Sequence, residues 1–309
     1  MIYQNLTELV GRTPLLNLQR MASLHGALAQ VVAKVEAFNP GGSVKDRVAL
    51  HMIEDAEARG QLRPGSVIIE PTSGNTGVGL AWISRVKGYE AIIVMPDSMS
   101  VERQSLLRAS GARLVLTPGA QGMKGAISEA ERLCNETPGA VILGQFTNPA
   151  NAEAHELTTG EEIWQDTDGQ VDIFVAGVGT GGTLTGTART LKKHNPQIRI
   201  VAVEPADSAV LSGGKAGAHG LQGIGAGFIP EILDTKLIDE VIRVTDDEAF
   251  LAGRQLSATE GLLTGISSGA AVHAAIQLAL RPENKDKRIV VLLPDTGERY
   301  LSTKLFMSE

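Results

Sequence analysis

The chain reads as an α/β protein whose sheets are mostly parallel and covered by helices on both faces. Short β-branched runs alternate with longer amphipathic stretches along all 309 residues, the order that strand–helix–strand units impose. The runs are mainly apolar, as strands buried on both faces are. Glycine numbers 35 while aromatics are only 4%, which suits many tight strand-to-helix turns.

Taken in order, the first apolar run is 31–35, followed by a helical stretch at 45–59. Run 67–69 leads to helix 75–87, run 91–95 to helix 101–110, and run 114–116 to helix 122–135. Runs 141–143 and 171–176 precede helix 183–193, run 198–203 comes next, and run 240–244 precedes helix 246–259. Run 289–293 closes the series. So many strands in 309 residues fit two sheets better than one. The Gly-rich stretch 212–227 reads as a mobile loop or lid.

Composition bounds the function. A net charge of −7 argues against nucleic acid or an anionic membrane as partner. The single cysteine, Cys134, allows neither an intrachain disulfide nor a cysteine-built zinc site and fits a reducing compartment. Residues 1–14 contain Glu8 and no long apolar core, so they do not read as a secretory signal, and no apolar run approaches a membrane span. A cytoplasmic enzyme is expected. The six histidines (His25, His51, His155, His194, His219 and His273) show no paired metal spacing and read as surface or locally bonded residues, so no metal is expected.

Four segments place small residues between a strand end and a helix start. In the first, Asn39-Pro40-Gly41-Gly42-Ser43-Val44-Lys45, Ser43 can cap a helix whose first turn holds Lys45. The macrodipole disfavours a cation there, and a lysine kept deprotonated is what Schiff-base chemistry requires. A solvated helix lysine is the plainer alternative. In the second, Thr72, Ser73, Gly74, Asn75 and Thr76 follow a strand directly. Hydroxyls, an amide and glycine at a helix start make an anion cradle of neutral donors, though a capped turn has the same composition. No charged residue lies between Glu70 and Arg85, which suggests a carboxylate held by neutral groups.

The third segment is Gly177-Val178-Gly179-Thr180-Gly181-Gly182-Thr183, with Glu204 ending the next strand. This matches the dinucleotide-binding fingerprint. The crowd of threonine hydroxyls and the mid-chain position favour a monophosphate at the helix start instead. The fourth, Thr264-Gly265-Ile266-Ser267-Ser268-Gly269, opens an Ala-rich helix and reads equally well as a close helix contact. Residues 294–300 carry charges that read as closing the fold.

Together these segments resemble the β-family of fold-type II pyridoxal-phosphate enzymes, and within it the cysteine synthase (O-acetylserine sulfhydrylase) family, A type. The resemblance runs from Gly11-Arg12-Thr13-Pro14 through Lys45, the Asn75 loop, Gln145-Phe146-Thr147-Asn148, Gly179 to Thr183 and Gln222-Gly223-Ile224-Gly225, to Ser267 and Glu298-Arg299-Tyr300. It implies two doubly wound, mostly parallel three-layer domains of the tryptophan synthase β-like kind. The larger, cofactor-phosphate-binding domain is expected at 1–44 plus 145–309, and a smaller mobile one at 45–144. It implies that Lys45 bonds pyridoxal 5′-phosphate covalently and is the catalytic base. Asn75 would contact the ring's 3′-oxygen, and Gly179, Thr180, Gly181, Gly182 and Thr183 the phosphate. Ser267 would meet the ring nitrogen, while Thr72, Ser73, Gly74, Asn75 and Thr76 with Gln145 take the substrate carboxylate.

The implied reaction converts O-acetyl-L-serine and sulfide to L-cysteine and acetate, in a homodimer that also binds the C-terminal tail of serine acetyltransferase. A cystathionine β-synthase-like enzyme, a serine dehydratase and a dinucleotide-binding oxidoreductase remain the alternatives.

Overall fold

The computed structural model describes residues 2–307; the outermost residues of the expected larger domain, Met1, Ser308 and Glu309, lie outside them. The strands are β1 (Leu15–Asn17), β2 (Gln30–Val35), β3 (Val67–Pro71), β4 (Glu90–Pro96), β5 (Arg113–Thr117), β6 (Ala140–Ile142), β7 (Ile173–Gly177), β8 (Arg199–Pro205), β9 (Glu240–Val244) and β10 (Arg288–Leu293). The helices are α1 (Gln19–His25), α2 (Lys45–Ala58), α3 (Asn75–Lys87), α4 (Val101–Ala109), α5 (Gly122–Glu136), α6 (Ala150–Ala154), α7 (Gly160–Asp166), α8 (Gly182–His194), α9 (Asp246–Glu260) and α10 (Ile266–Ala279).

The chain divides into two compact units. The first takes residues up to Val10 together with Asn39–Asn151, and the second takes Gly11–Phe38 with the chain from Ala152 onward. The first unit therefore starts ahead of Lys45 and runs past Gly144, wider than the expected 45–144. Hydrogen bonds explain the margins. The Gly41 amide and the Trp82 indole both donate to the buried Asp46 carboxylate, which ties the segment before α2 to α2 and α3. At the other end Asn151 Nδ2 donates to the Gln145 carbonyl at 2.7 Å.

In the first unit, four described strands form a parallel sheet in the order β5-β4-β3-β6. Successive side chains face opposite layers, as the period of two demands. Ile68, Ile93 and Met95 pack with Met52 and Ile53 of α2 and Leu80 and Ile83 of α3. Ile69, Ile92 and Val94 pack with Ala126 and Ala130 of α5.

In the second unit, six described strands run β1-β2-β10-β7-β8-β9, all parallel except β1 against β2. One face, including Val31, Ile173, Val175, Val201, Ile289 and Val291, packs on α9 and α10. Lys34 of β2 is fully buried in this unit. Its ammonium donates to the Thr13 carbonyl at 2.6 Å and pairs with Glu162 of α7 at 2.8 Å.

Each sheet has one place where the strand order reverses. From β3 the chain steps outward to β4 and β5, then returns to the other side of β3 as β6. From β7 it steps to β8 and β9, then returns to the other side of β7 as β10. In open α/β sheets ligands bind outside the carboxyl ends of the strands at such a switch point. Residues 72–76 leave the end of β3, Gln145 follows β6, and Gly179 follows β7.

Three elements depart from the sequence expectation. β1 is too short to show a run, and α1 was not legible either. The helical stretch from Ala150 to Asp166 is broken by a π turn, His155–Thr159, where adjacent threonines and Gly160 blur the helical period. The stretch 212–227 has no regular structure, and Gly223, Gly225 and Gly227 have positive φ.

Candidate active site

The first unit holds Lys45, residues 72–76 and Gln145. Lys45 is the first residue of α2. Ser43 does not stand at the cap position, which Val44 takes, but its hydroxyl accepts the Lys45 amide at 3.2 Å. α2 and α3 approach closely where a side chain at Gly79 would meet the Lys45 carbonyl at 3.1 Å, so glycine there lets the Lys45 turn lie against α3.

After β3, the Thr72 hydroxyl accepts the Gly74 amide at 3.3 Å, and Asn75 opens α3 with no side-chain cap. The first turn of α3 lies at the positive end of its helix dipole. Thr76 Oγ1 donates to Gln145 Oε1 at 2.5 Å, although 69 residues separate them. This contact joins the two loops of the β3/β6 switch point. Both side chains are buried, while Ser73, Gly74 and Asn75 are partly exposed. Nothing lies within 4 Å of a Cβ built on Gly74, so there is room beside the donors for a small anion.

Two residues around this cradle escaped the sequence reading. Glu70 is fully buried at the end of β3 and accepts three backbone amides, from Leu143 (3.2 Å), Gly144 (3.1 Å) and Gln145 (3.2 Å). Burial pushes its carboxyl above the usual range, against the lowering effect of those three donors. The second is Arg103 of α4, whose guanidinium donates to the Ser73 carbonyl at 2.7 Å. The cradle is thus not as charge-free as residues 70–85 suggest.

The second unit holds the Gly179 turn and Ser267. Val178 donates to the Val203 carbonyl, and Gly181 enters α8 with φ +85°. The Thr185 amide donates to the Gly181 carbonyl at 3.0 Å. The amides of Gly182, Thr183 and Leu184 lie ahead of that bond, in the turn where a helix has no intrahelical acceptors. Thr180 and Thr183 are buried beside them. Gly179 can be nothing larger, because a Cβ would collide with the Gly223 carbonyl. Gly223 also lies close to Ser267, its ideal Cβ position being 3.5 Å from the Ser267 hydroxyl oxygen. The loop around Gly223 therefore brings the Gly179 turn and the start of α10 together. That start is seated on the segment after β10. The Gly265 amide donates to the Asp295 carbonyl, and Tyr300 donates to the Asp295 carboxylate at 2.6 Å.

His155 is the third residue missed. It is completely buried, with Nδ1 2.9 Å from Thr159 Oγ1 and Nε2 3.2 Å from Thr183 Oγ1, so it is neither a surface histidine nor bonded only to near neighbours. Thr185, by contrast, spends its hydroxyl oxygen on the Asp234 amide.

The same geometry counts against a dinucleotide. Glu204, where the ribose-binding acid would stand, is buried and accepts from the Leu211 amide and from the Ser212 amide and hydroxyl. A compact monoanion or dianion at the α8 start matches this donor set better, and the fit extends to a phosphate ester. Among the described residues no cluster of His, Cys, Asp or Glu is arranged for a metal, and no helix is long and apolar enough to cross a membrane.

Comparison with known proteins agrees with this donor chemistry. A Staphylococcus aureus cysteine synthase (strain N315) is 54% identical over 303 residues, covering 98% of this chain and 96% of that protein. The solved cysteine synthase of Entamoeba histolytica superposes with a TM-score of 0.97 at 46% identity, covering 100% of this chain and 92% of that one. A hydrogen sulfide-producing enzyme from Fusobacterium nucleatum superposes with a TM-score of 0.92 at 44% identity, over 97% of this chain and 100% of that one. The model of the pyridoxal-phosphate dependent enzymes matches residues 6–295, and the chain belongs to that family.

Proposed function

We propose that the chain is a cysteine synthase of the O-acetylserine sulfhydrylase type, converting O-acetyl-L-serine and sulfide to L-cysteine and acetate. The observation that carries this reading is the Thr76–Gln145 contact at the β3/β6 switch point. It assembles a small, mainly neutral cradle suited to an amino-acid carboxylate, in a chain similar to proteins of that name.

Pyridoxal 5′-phosphate, when bound, supplies an electron sink for the bonds at the substrate's α-carbon. Lys45 would hold it covalently through Nζ, and the same nitrogen, when free, would accept the substrate's α-proton. Thr72, Ser73, Gly74, Asn75 and Thr76, with Gln145, bind the substrate carboxylate and so orient the α-hydrogen. Asn75 also contacts the ring's 3′-oxygen. Gly179, Thr180, Gly181, Gly182 and Thr183 hold the phosphate at the positive end of α8. Ser267 would give the ring nitrogen a neutral hydroxyl that hydrogen-bonds without protonating it, which would weaken the sink and favour replacement at the β-carbon over transamination or racemisation. Acetate then departs and sulfide takes its place.

The deciding experiment compares sulfide-dependent cysteine formation from O-acetylserine, O-phosphoserine and serine. O-Acetylserine should be strongly preferred. Pyruvate formed from serine without incorporation of sulfide would make the chain a dehydratase instead. The finer expectations belong to this proposal too: a cytoplasmic homodimer, residues 45–144 moving onto the substrate, and binding of the serine acetyltransferase tail. The exposed edge strand β1 of the second unit, with Leu16 36% accessible, is the kind of feature a partner subunit covers.

A further inference from the structure

Glu70 has no assigned role in the chemistry above, yet its environment is the least ordinary in the first unit. A carboxylate with no solvent exposure normally has a cationic partner, because burying an isolated charge is costly. Three backbone amides from consecutive residues, Leu143, Gly144 and Gln145, converge on Glu70 instead. Gly144, at the centre of the three, has φ +71°, the left-handed bend that turns successive N–H groups to one side and builds an anion nest. The nest therefore has an anion of the chain's own, one residue before the Pro71-Thr72 turn.

The third amide belongs to Gln145, whose side chain receives the Thr76 hydroxyl. Glu70 thus fastens the loop after β6 to the end of β3 and fixes the backbone of one of the two groups whose contact forms the cradle. Gln145 is held from its other side by Asn151, which donates to its carbonyl. We infer that Glu70 is a positioning residue for recognition of the substrate carboxylate: its buried carboxylate sets the Gln145 backbone so that Gln145 and Thr76 meet. The inference rests on the cysteine synthase reading for the identity of that carboxylate, but not for the clamp itself.

Glu70→Gln is the test, since it preserves size while replacing an oxygen acceptor by an amide that opposes the incoming N–H groups. Two readouts separate the clamp from the function. The first is hydrogen exchange of the Leu143, Gly144 and Gln145 amides. It should quicken at least tenfold in the variant, while the β4 amides keep their protection. The second is the ratio of kcat/KM for O-acetyl-L-serine to that for its carboxamide, which lacks the anion. That ratio should fall about tenfold or more in the variant, mainly through KM for the acid, as expected for weakened hydrogen bonding to a charged group. Equal losses for acid and carboxamide, or unchanged exchange at the three amides, would overturn the inference. Wild-type protein inert toward O-acetylserine but showing the exchange difference would overturn the function and leave the clamp standing.

Discussion

Thr183 shows at residue scale how a hydroxyl in a turn acquires a second task. Its oxygen lies 3.2 Å from the His155 ring nitrogen, so a buried histidine orients the side chain that is proposed to hold the phosphate. Thr183→Val removes both interactions while keeping the shape. A hydrogen bond to a charged group is worth roughly 1.5–3 kcal/mol, so cofactor affinity, followed by visible absorbance during dilution, should fall more than tenfold. Ser267→Asp tests the opposite end of the ring. A carboxylate there would accept a hydrogen bond from the protonated ring nitrogen and so favour its protonation; β-replacement should slow and the visible spectrum should change. Unchanged kinetics and spectra would remove Ser267 from the ring. The turns that carry Lys45, Asn75 and Gly179 were legible because each has its own local composition. Glu70, Arg103 and His155 were not, since their partners lie 73 to 75, 30 and 28 residues away.

The apolar runs located the strands to within one or two residues, and β9 (Glu240–Val244) with the same ends, because strands buried on both faces have a contiguous signal. β1 and the π-broken helical stretch gave none. Elements are also tied together by charges that no run reveals. Glu240 on β9 accepts both guanidinium nitrogens of Arg281, at 2.7 and 2.9 Å, and one of Arg199 on β8. Hydrogen bonding from Arg281 holds the Glu240 carboxyl below its ordinary value of 4.5, with Arg199 adding to the effect and partial burial opposing it. A carboxyl lowered by folding stabilises the protein above its unfolded value, and that contribution disappears as pH falls through the folded value. Glu240→Gln should therefore lower the melting temperature at pH 7, and the deficit should shrink below about pH 4.5. A deficit independent of pH would mean that packing, not charge, holds β9 to α10's end.

At the scale of the whole molecule, the second unit carries a recess beside the Gly179 turn. It is lined by Val178, Glu204, Val210, Gly225 and Phe228, whose ring is half exposed. On the proposed function, a tail peptide ending in isoleucine would bring its terminal carboxylate to residues 72–76 with Gln145 of the first unit. Such a peptide should compete with O-acetylserine, and amidation of its terminus should weaken it severely when both are titrated against cofactor fluorescence. Equal binding of the two forms would place the tail elsewhere.

The position of β10 has a bearing on biosynthesis. It lies between β2 and β7, and pairs Arg288 with Gln30 across 258 residues of chain. A ribosome making this protein completes the four-stranded sheet of the first unit once Ile142 has emerged. β2, made before any of those strands, must wait until Arg288–Leu293 has been made for its parallel neighbour. Such distant pairings close slowly, and an unpaired apolar edge invites misassociation in the interval. A nascent chain stalled before Arg288 should therefore show protected β3 and β4 amides beside an exchanging β2, and should depend on chaperone capture until release.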